Sequence, residues 1–395
     1  MSAGTRILRV PRPSRVSSTV AARFGTPVID PSLIRVLLAR YGIAERGSAR
    51  NIQVGRRNRN MTVVTDAGRK VVKMYRPQWT EATVRYGHSI LTRLEELNFP
   101  APRLARTLDG ADHVQLDDGL FALFDFVPGV NYSLNFLLRG DRLRLTVLGG
   151  RTLALFHRCL DGFAPAGEHH MGFVSPTGPR RRDLEWHRAK VQELTARSTE
   201  VADTDARSLS GRLTERASAV LDEIAQLDVT LSDVAFPRLV IHGDYGIHNL
   251  IYQPTGIAVP VDFELSRLDL RLNDLISALV KYRYTGGRYD LESMEVFLGA
   301  YASGFALSAD ERRLLPDAWR SYKLQQAVQY WNSYFETGGP SRKLVSALDS
   351  IDQADWVTAN PRVIQRLASA AEEASVAEDA VGAPRSSGAE RPALG

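Results

Sequence analysis

Asp244, Asn249 and Asp262 have types and spacing suited to the transfer of a phosphoryl group. Asp244 and Asn249 follow an apolar run, and Asp262 follows two further short apolar runs. Those runs, 250–252 and 258–261, predict two small strands joined by a turn that contains proline and glycine. The hairpin would carry two carboxylates and an amide to the ends of neighbouring strands, where they could converge on a metal-bound phosphate.

The order of these residues follows a known catalytic loop. In protein kinases that loop is written H-R-D-x-x-x-x-N, and a metal-binding aspartate lies on the next hairpin. Residues 242–249 read HGDYGIHN, which keeps the His, Asp and Asn positions and has Gly243 where the kinase motif has arginine. Asp262 then ends the predicted hairpin within the sequence Val-Asp-Phe-Glu. Because loop and hairpin occur together, they predict phosphotransfer more specifically than either part alone.

With glycine in the loop and Phe263-Glu264 after the last aspartate, the chain resembles the aminoglycoside phosphotransferase and choline kinase superfamily. The resemblance covers roughly residues 40–345 and is strongest in the C-terminal half. The segment 71–77, VVKMYRP, is also similar to the bacterial stress-response kinase branch, whose substrates include protein hydroxyls. The resemblance implies an α+β, two-lobed protein-kinase-like fold with a small antiparallel-sheet N-lobe and a mainly helical C-lobe.

The resemblance also implies roles for individual residues. Asp244 would accept a hydrogen bond from the acceptor hydroxyl and take its proton, while Asn249 and Asp262 would hold Mg²⁺ against the phosphates of ATP. His242 would brace the loop by hydrogen bonding. Asp274, in the Asp-Leu pair that follows, would anchor the loop from behind. We therefore expect ATP and Mg²⁺ as cofactors, with GTP open as the alternative nucleotide.

Lys73 lies on a predicted third strand, 70–74, and by the same resemblance would contact the α- and β-phosphates; a lysine on the surface of the strand is the alternative. An inward lysine needs a carboxylate partner, which in kinases is a glutamate on the next helix. The predicted helix 80–98 has Tyr86 and a glycine at that register. Three explanations stay open: Glu81 reaches in from the first turn, the lysine is held differently, or the lobe is only partly competent before substrate arrives.

Two further segments are candidates for nucleotide binding. The region 52–65 predicts a strand, a loop at 55–60 and a second strand, and the loop, with Asn60, could cover the phosphates. It lacks a G-x-G-x-x-G pattern, so an ordinary basic hairpin is an equal alternative. By the same resemblance, the segment 123–129 would be the linker between the lobes, where Phe124 and Phe126 would wall the nucleotide base; an edge strand with a turn is the alternative.

Other elements complete the predicted scaffold. A helix near Asp30 should bury one apolar face on the small lobe, and strands are predicted at 104–108 and 120–127. The apolar stretch 147–160 predicts a large-lobe helix on which His157 is a hydrogen-bonded core residue. Further helices are predicted at 185–195, 213–227, 291–306 and 323–335, and Ser308 to Glu311 has the form of a capping box.

Composition limits the remaining possibilities. The 395 residues are 44% hydrophobic and include one cysteine, which excludes an internal disulfide framework and favours a reducing, cytoplasmic location. No apolar run is long enough to cross a bilayer. Arginines without acidic residues at 1–24 predict a basic arm, or alternatively a transit peptide, that could dock a partner protein. No aromatic-interleaved basic face suggests nucleic-acid binding.

These observations divide the chain into four predicted regions: a disordered basic arm at 1–28, an N-lobe at 29–127, a C-lobe at 128–368 and a disordered tail at 369–395. Within the C-lobe, the segment 161–216 predicts an insert that could shape the acceptor pocket. An arginine cluster at 180–182 could receive an acidic substrate, although a solvated loop is the alternative.

The acceptor is the least determined feature. The superfamily resemblance favours a small hydroxylated metabolite or an antibiotic, and the arginine-rich insert argues against aminoglycosides. The segment around Lys73 favours instead a Ser/Thr kinase acting on a protein or on a natural-product precursor peptide that is phosphorylated before dehydration. A third possibility is a nucleotide-binding pseudokinase, supported only by the missing helix glutamate.

Overall fold

A five-stranded antiparallel sheet and two helices form the smaller lobe. The structure is a computed structural model that describes residues 31–52, 59–77, 79–133, 136–169, 183–283 and 287–382. The strands lie in the order β1-β2-β3-β5-β4. Their bounds are β1 (Glu45–Ile52), β2 (Arg59–Thr65), β3 (Gly68–Met74), β4 (Val114–Leu116) and β5 (Gly119–Asp125), with helices α1 (Pro31–Arg40) and α2 (Glu81–Glu96).

Helix α1 packs on the outer face of the sheet. Its apolar residues recur at helical spacing, and Ile34, Leu37, Leu38 and Tyr41 are all buried, as the sequence predicts. Helix α2 packs on the inner face. Thr80 caps its N-terminus by accepting a hydrogen bond from the Thr83 backbone at 3.2 Å. The inner face therefore lies between α2 and the sheet, and it is the face from which Lys73 extends beside Val71.

The larger lobe is mainly helical and carries two short antiparallel strand pairs. Its helices are α3 (Arg139–Cys159), α4 (Leu184–Ser198), α5 (Thr204–Ser232), α6 (Arg271–Leu279), α7 (Leu291–Ala302), α8 (Ala309–Arg313), α9 (Leu315–Thr337), α10 (Arg342–Ala359) and α11 (Pro361–Gly382). The pairs are β6 (Arg238–Ile241) with β9 (Arg267–Leu270), and β7 (Leu250–Tyr252) with β8 (Ala258–Pro260). The architecture confirms the predicted α+β class.

The core of this lobe depends on a close approach of α3 and α7. A Cβ atom on Gly150 would lie 2.6 Å from the Phe297 carbonyl oxygen, so only glycine permits this packing. The predicted helix at 147–160 is confirmed but begins earlier, at Arg139. The predicted capping box is also confirmed, because Ser308 and Glu311 exchange hydrogen bonds at the start of α8.

Helices α4 and α5, from the predicted insert, form a second core with α9 and α10. Leu194, Ile224, Trp331 and Leu348 are buried in it. The insert therefore extends the helical lobe. The arginine cluster at 180–182 lies outside the described residues.

Two strand predictions in the small lobe were wrong. The first strand ends at Ile52 instead of beginning there. The prediction missed it because β1 is largely polar and pairs with β2 without a recognisable apolar pattern. Residues 104–108 form only a single bridge, from Leu104 to Phe124. The strand that pairs with β5 is β4, inside the predicted turn region.

The predicted disordered tail was wrong in its first part. Helix α11 continues to Gly382, and Ala371 within it is fully buried beside Ile364 and Leu367, which are also buried. The alanine-rich composition that suggested disorder also has high helix propensity. Packing of the segment on α7 stabilises the helix over the disordered state. The remaining residues of that tail, and the basic arm, lie outside the described residues. Among the helices of the described chain, none combines the length and apolarity needed to span a membrane.

Candidate active site

The loop 242–249 joins β6 to β7 and brings its polar residues together. The Asn249 side chain is buried, and its Nδ2 donates to the Asp244 backbone carbonyl at 2.9 Å and to the Asp244 carboxylate at 3.3 Å. Because the nitrogen is committed to these bonds, Oδ1 is the atom of this amide that could coordinate a cation. The sequence motif thus corresponds to a compact, internally bonded loop.

Two basic side chains lie beside the Asp244 carboxylate. Lys281 Nζ lies 3.3 Å from Oδ1 and His248 Nε2 lies 3.5 Å from Oδ2. Burial alone would raise the pKa of Asp244, but the hydrogen bond from His248 and the charge of Lys281 outweigh it and hold the pKa well below its usual range. Asp244 is therefore ionised at neutral pH.

Gly243 has a steric reason for standing where protein kinases have arginine. Its φ is +82°, and a Cβ atom there would lie 2.1 Å from the Leu265 carbonyl oxygen. The segment after Asp262 passes directly over this position, so a side chain would displace it.

Asp274, at the start of α6, fixes the loop from inside the lobe. Its carboxylate accepts hydrogen bonds from the His242 backbone N–H at 2.6 Å and from the Gly243 N–H at 2.7 Å. His157 Nε2 lies 3.1 Å from the same carboxylate, and its Nδ1 lies 2.8 Å from the Tyr301 hydroxyl. Burial lowers the pKa of His157, so the ring is neutral and bridges the two groups. The expectation that His157 is a hydrogen-bonded core residue is confirmed.

Asp262 follows β8 and has a left-handed backbone, with φ 68° and ψ 59°. Such a conformation is uncommon outside glycine, and it turns the chain sharply at this point. His242 Nε2 donates to the preceding Val261 carbonyl at 3.0 Å, which ties the hairpin to the loop. The side chain of Asp262 is exposed, but the surrounding protein still removes part of its hydration. This desolvation raises its pKa to about 6, and the negative charges of Glu264 and Asp244 contribute in the same direction.

Lys73 is held by Glu264, two residues beyond Asp262. The distance from Nζ to Oε1 is 2.9 Å, and the two side chains are 15% and 6% exposed. Tyr86, at the register expected for a helix glutamate, instead accepts a hydrogen bond from the Leu268 backbone at 3.1 Å. The explanation that Glu81 reaches in is wrong, because Glu81 extends toward His113 at 3.5 Å.

The predicted nucleotide-contacting residues lie along the inner face of the sheet. Asn60 is in β2 and is paired with Lys73, so its placement in a loop was wrong, while residues 53–58 lie outside the described residues. Phe124 is buried on β5 beside the His88 ring. Phe126 lies just after β5, with the Arg69 guanidinium 4.7 Å from its ring centroid. Their contacts with a nucleotide stay predictions.

Sequence reasoning missed two residues that shape this site. Asn131, in the linker, has its Nδ2 within 2.9–3.2 Å of the backbone carbonyls of residues 247, 248 and 250 and so holds the loop to the linker. Lys281, just beyond α6, pairs with Asp244. No local pattern marks either residue, because each acts through a contact with a distant segment.

The oxygen-bearing groups at the lobe junction fit a magnesium ion in their chemistry. Asn249 Oδ1 and the Asp262 carboxylate are hard oxygen donors, which Mg²⁺ prefers, and two protein ligands leave positions for phosphate and water. The Val261 backbone N–H donates to the Asn249 carbonyl at 2.9 Å, so Asp262 follows a residue that is bonded to the loop. Lys73 from the small lobe reaches the same segment through Glu264.

Comparison with known proteins identifies similar chains. A sequence profile described as the phosphotransferase enzyme family matches residues 48–316. A homoserine kinase of Acidiphilium cryptum (strain JF-5) is 24% identical over 330 residues, which cover 83% of this chain and 93% of that protein.

Two solved structures illustrate the fold similarity. A microcompartment-associated aminopropanol kinase has a TM-score of 0.60 and 15% sequence identity, covering 86% of this chain and 100% of that one. An amicoumacin kinase in complex with AMP-PNP and Ca²⁺ has a TM-score of 0.56 and 13% identity, covering 83% and 94% of the two chains. At these identities the structures establish a shared two-lobed fold.

Proposed function

Because the chain belongs to the phosphotransferase enzyme family, we propose that it transfers the γ-phosphate of ATP to a hydroxyl group of a small metabolite. One observation carries the proposal: the loop with Asp244 and Asn249 is bonded to the hairpin that leads to Asp262, and Lys73 from the other lobe pairs with Glu264 just beyond it. Phosphoryl transfer needs this kind of alignment and charge stabilisation more than covalent help from the protein.

Asp244 is assigned to the acceptor. Its low pKa makes it a weak base, which suits a largely dissociative transition state in which the hydroxyl proton leaves late. The carboxylate would orient the hydroxyl by accepting its hydrogen bond. Asn249 keeps Asp244 in place through the bonds already described, and Asp274 keeps the whole loop in place.

The nucleotide is assigned to the cleft side of the sheet. Lys73 would contact the phosphates, and Phe126, at the start of the linker, would border the base. Asn249 and Asp262 would hold Mg²⁺, which when bound neutralises charge on the phosphates. The AMP-PNP and Ca²⁺ in the similar amicoumacin kinase support the use of ATP with a divalent ion.

The charges near Asp244 support an acceptor that carries an anionic group. Lys281 pairs with Asp244. Lys323 on α9 is only 3% exposed, and the positive charge of Lys281 contributes to lowering its pKa. Lys323 donates to Gln326, and no described carboxylate lies within ion-pair distance of it. Burial lowers the pKa of Lys323 to about 7, and a carboxylate on an acceptor bound nearby would favour its charged form. Homoserine, the substrate named for the similar kinases, carries such a group.

The alternatives are less well supported. A protein or peptide acceptor rests on the segment around Lys73 alone, while the similar proteins named here act on small molecules. The pseudokinase hypothesis rested on the missing helix glutamate, and Glu264 now supplies a carboxylate to Lys73.

The experiment measures acceptor-dependent ADP release with three matched acceptors: L-homoserine, 4-hydroxybutyrate, which lacks the amine, and 3-aminopropan-1-ol, which lacks the carboxylate. Asp244→Asn should lower turnover by about 10²- to 10⁴-fold, as expected for loss of a catalytic acid–base group. Asp222→Asn, an exposed change on α5, is the control and should match wild type. Equal turnover in wild type and Asp244→Asn with every acceptor would reject the enzyme assignment. Preference for the aminoalcohol would reject the anionic acceptor only.

A further inference from the structure

Two histidines and an aspartate of the small lobe converge at a point that phosphoryl transfer does not use. His88 is on α2, and Asp112 and His113 precede β4. His113 Nδ1 lies 2.6 Å from one Asp112 oxygen, and His88 Nδ1 lies 3.2 Å from the other. One ligand atom from each residue lies within 4.8 Å of the other two.

The second nitrogen of each ring has an orienting partner. His88 Nε2 lies 2.6 Å from the Tyr75 hydroxyl, and His113 Nε2 lies 3.5 Å from Glu81 Oε1. Histidines that bind metals usually bond their other ring nitrogen to such a group, which fixes the ring and its tautomer. Both rings are therefore held with Nδ1 toward the same carboxylate.

His88 contributes a buried imidazole to the cluster. The residue is 2% exposed, and its Nδ1 lies 3.2 Å from Asp112 Oδ2 without the angle of a well-formed hydrogen bond. A cation bound between the two atoms would compensate the charge of the carboxylate as a proton on Nδ1 otherwise would. For a tetrahedral ion with ligand distances of about 2.0–2.1 Å, neighbouring ligands are separated by roughly 3.4 Å. The observed separations are within about 1.5 Å of that value, a change that side-chain rotation can supply.

We propose that His88, Asp112 and His113 form a binding site for a divalent transition-metal ion, with Zn²⁺ the best match to two imidazoles and a carboxylate. The ligands would be the two Nδ1 atoms and an Asp112 oxygen, with water in the fourth position. Arg106 lies 3.6 Å from Asp112 Oδ2, but its side chain is 43% exposed and can turn toward solvent.

Such an ion would fasten α2 to the segment before β4. Tyr75, which orients His88, follows β3, and Lys73 Nζ lies 5.4 Å from the Tyr75 ring centroid. The described part of α2 supplies no carboxylate to Lys73, so the ion would give this helix a different connection to the sheet. The ion is therefore expected to make helix α2 more ordered and to have no direct role at the phosphoryl group.

The test uses the full chain without nucleotide, dialysed against Zn²⁺ or titrated with Co²⁺. Asp262→Asn is the background, because it weakens the magnesium-type site. The test variants are His113→Ala and Asp112→Asn, which change partly exposed residues, and Asp118→Asn, an exposed residue in the β4–β5 turn, is the matched control. Hydrogen exchange of residues 81–96 is followed in parallel.

We expect one tightly bound Zn²⁺ per chain in Asp262→Asn and in its Asp118→Asn derivative, visible absorption from tetrahedral Co²⁺, and slower exchange in α2 on Zn²⁺ addition. All three should be lost in His113→Ala and Asp112→Asn while their far-UV circular dichroism stays unchanged. Absence of bound Zn²⁺ in the background protein, or equal binding in the two test variants, would overturn the proposal. Phosphotransfer is not measured, so this outcome is independent of the proposed function.

Discussion

Replacing Glu264 with glutamine tests whether the hairpin, and not helix α2, positions Lys73. The change keeps the size of the side chain and removes its charge. Lys73 and Glu264 are nearly buried and 2.9 Å apart, so the lost interaction is a charge-assisted hydrogen bond worth about 1.5–3 kcal/mol. At about 1.4 kcal/mol per factor of ten, kcat/KM for ATP should fall roughly 10- to 150-fold.

The loss should appear mainly as a higher KM for ATP, because Lys73 would be poorly placed before the nucleotide arrives. Loss of the Glu264 charge also lowers the pKa of Asp262, so Asp262 remains as an ionised carboxylate near Lys73. Its charge should keep the loss of kcat/KM within the range given above. Initial rates of ADP release at varied ATP and fixed acceptor measure it. Glu81→Gln is the matched control and should be close to wild type. A large effect of Glu81→Gln with little effect of Glu264→Gln would refute the reasoning.

Three further changes test the scaffold. Gly243→Ala should abolish turnover and lower the free energy of unfolding by more than the roughly 1–3 kcal/mol expected from backbone strain. Gly256 has the same φ of +82° but open space around it, so Gly256→Ala should show the cost of strain alone in urea unfolding. Asp274→Asn removes a buried acceptor of two backbone N–H groups, so it should cost about 2–4 kcal/mol in urea unfolding and slow turnover. Burial lowers the pKa of Lys323 to about 7 in the folded protein. Above that pH the unfolded chain therefore binds more protons at this residue than the folded chain does, and stability rises with pH. The free energy of unfolding of the wild type should rise by roughly 4 kcal/mol between pH 7 and 10 relative to that of Lys323→Met.

The conformation of the loop 242–249 and of the hairpin after it could be predicted because it depends on neighbouring residues in the sequence. His242, Asp244 and Asn249 lie within eight consecutive residues, and Asp262 follows a hairpin whose two strands pair as expected. Within such a short segment, spacing along the chain largely determines spacing in the fold. The anchoring role of Asp274 was expected from the resemblance of its Asp-Leu pair to the superfamily, and the hydrogen bonds of its carboxylate to the loop agree with it.

Features that depend on distant segments could not be predicted in the same way. Glu264 was noted, but its pairing with Lys73 required the relative position of the lobes. Apart from Ala49 and Ile52, strand β1 has no apolar side chain, so periodicity could not locate it. In α11 the same alanine-rich sequence is compatible with disorder and with a helix, and the buried contact of Ala371 is made with another part of the fold.

The position of α2 follows from contacts with the large lobe rather than from an ion pair with Lys73. The Ala166 backbone N–H donates to Ser89 Oγ at 3.0 Å, and the Glu168 N–H donates to the Ala82 carbonyl at 3.1 Å. Gly167 between them has a φ of +97°, and a Cβ atom there would lie 2.2 Å from the same carbonyl, so the segment can pack this closely only with glycine. With the helix held in this way, the segment after β8 supplies Glu264 to Lys73 and also carries Asp262, the carboxylate proposed for the metal. In the proposed function, both charges would then be placed by one segment, and Lys73 would need no glutamate from the helix.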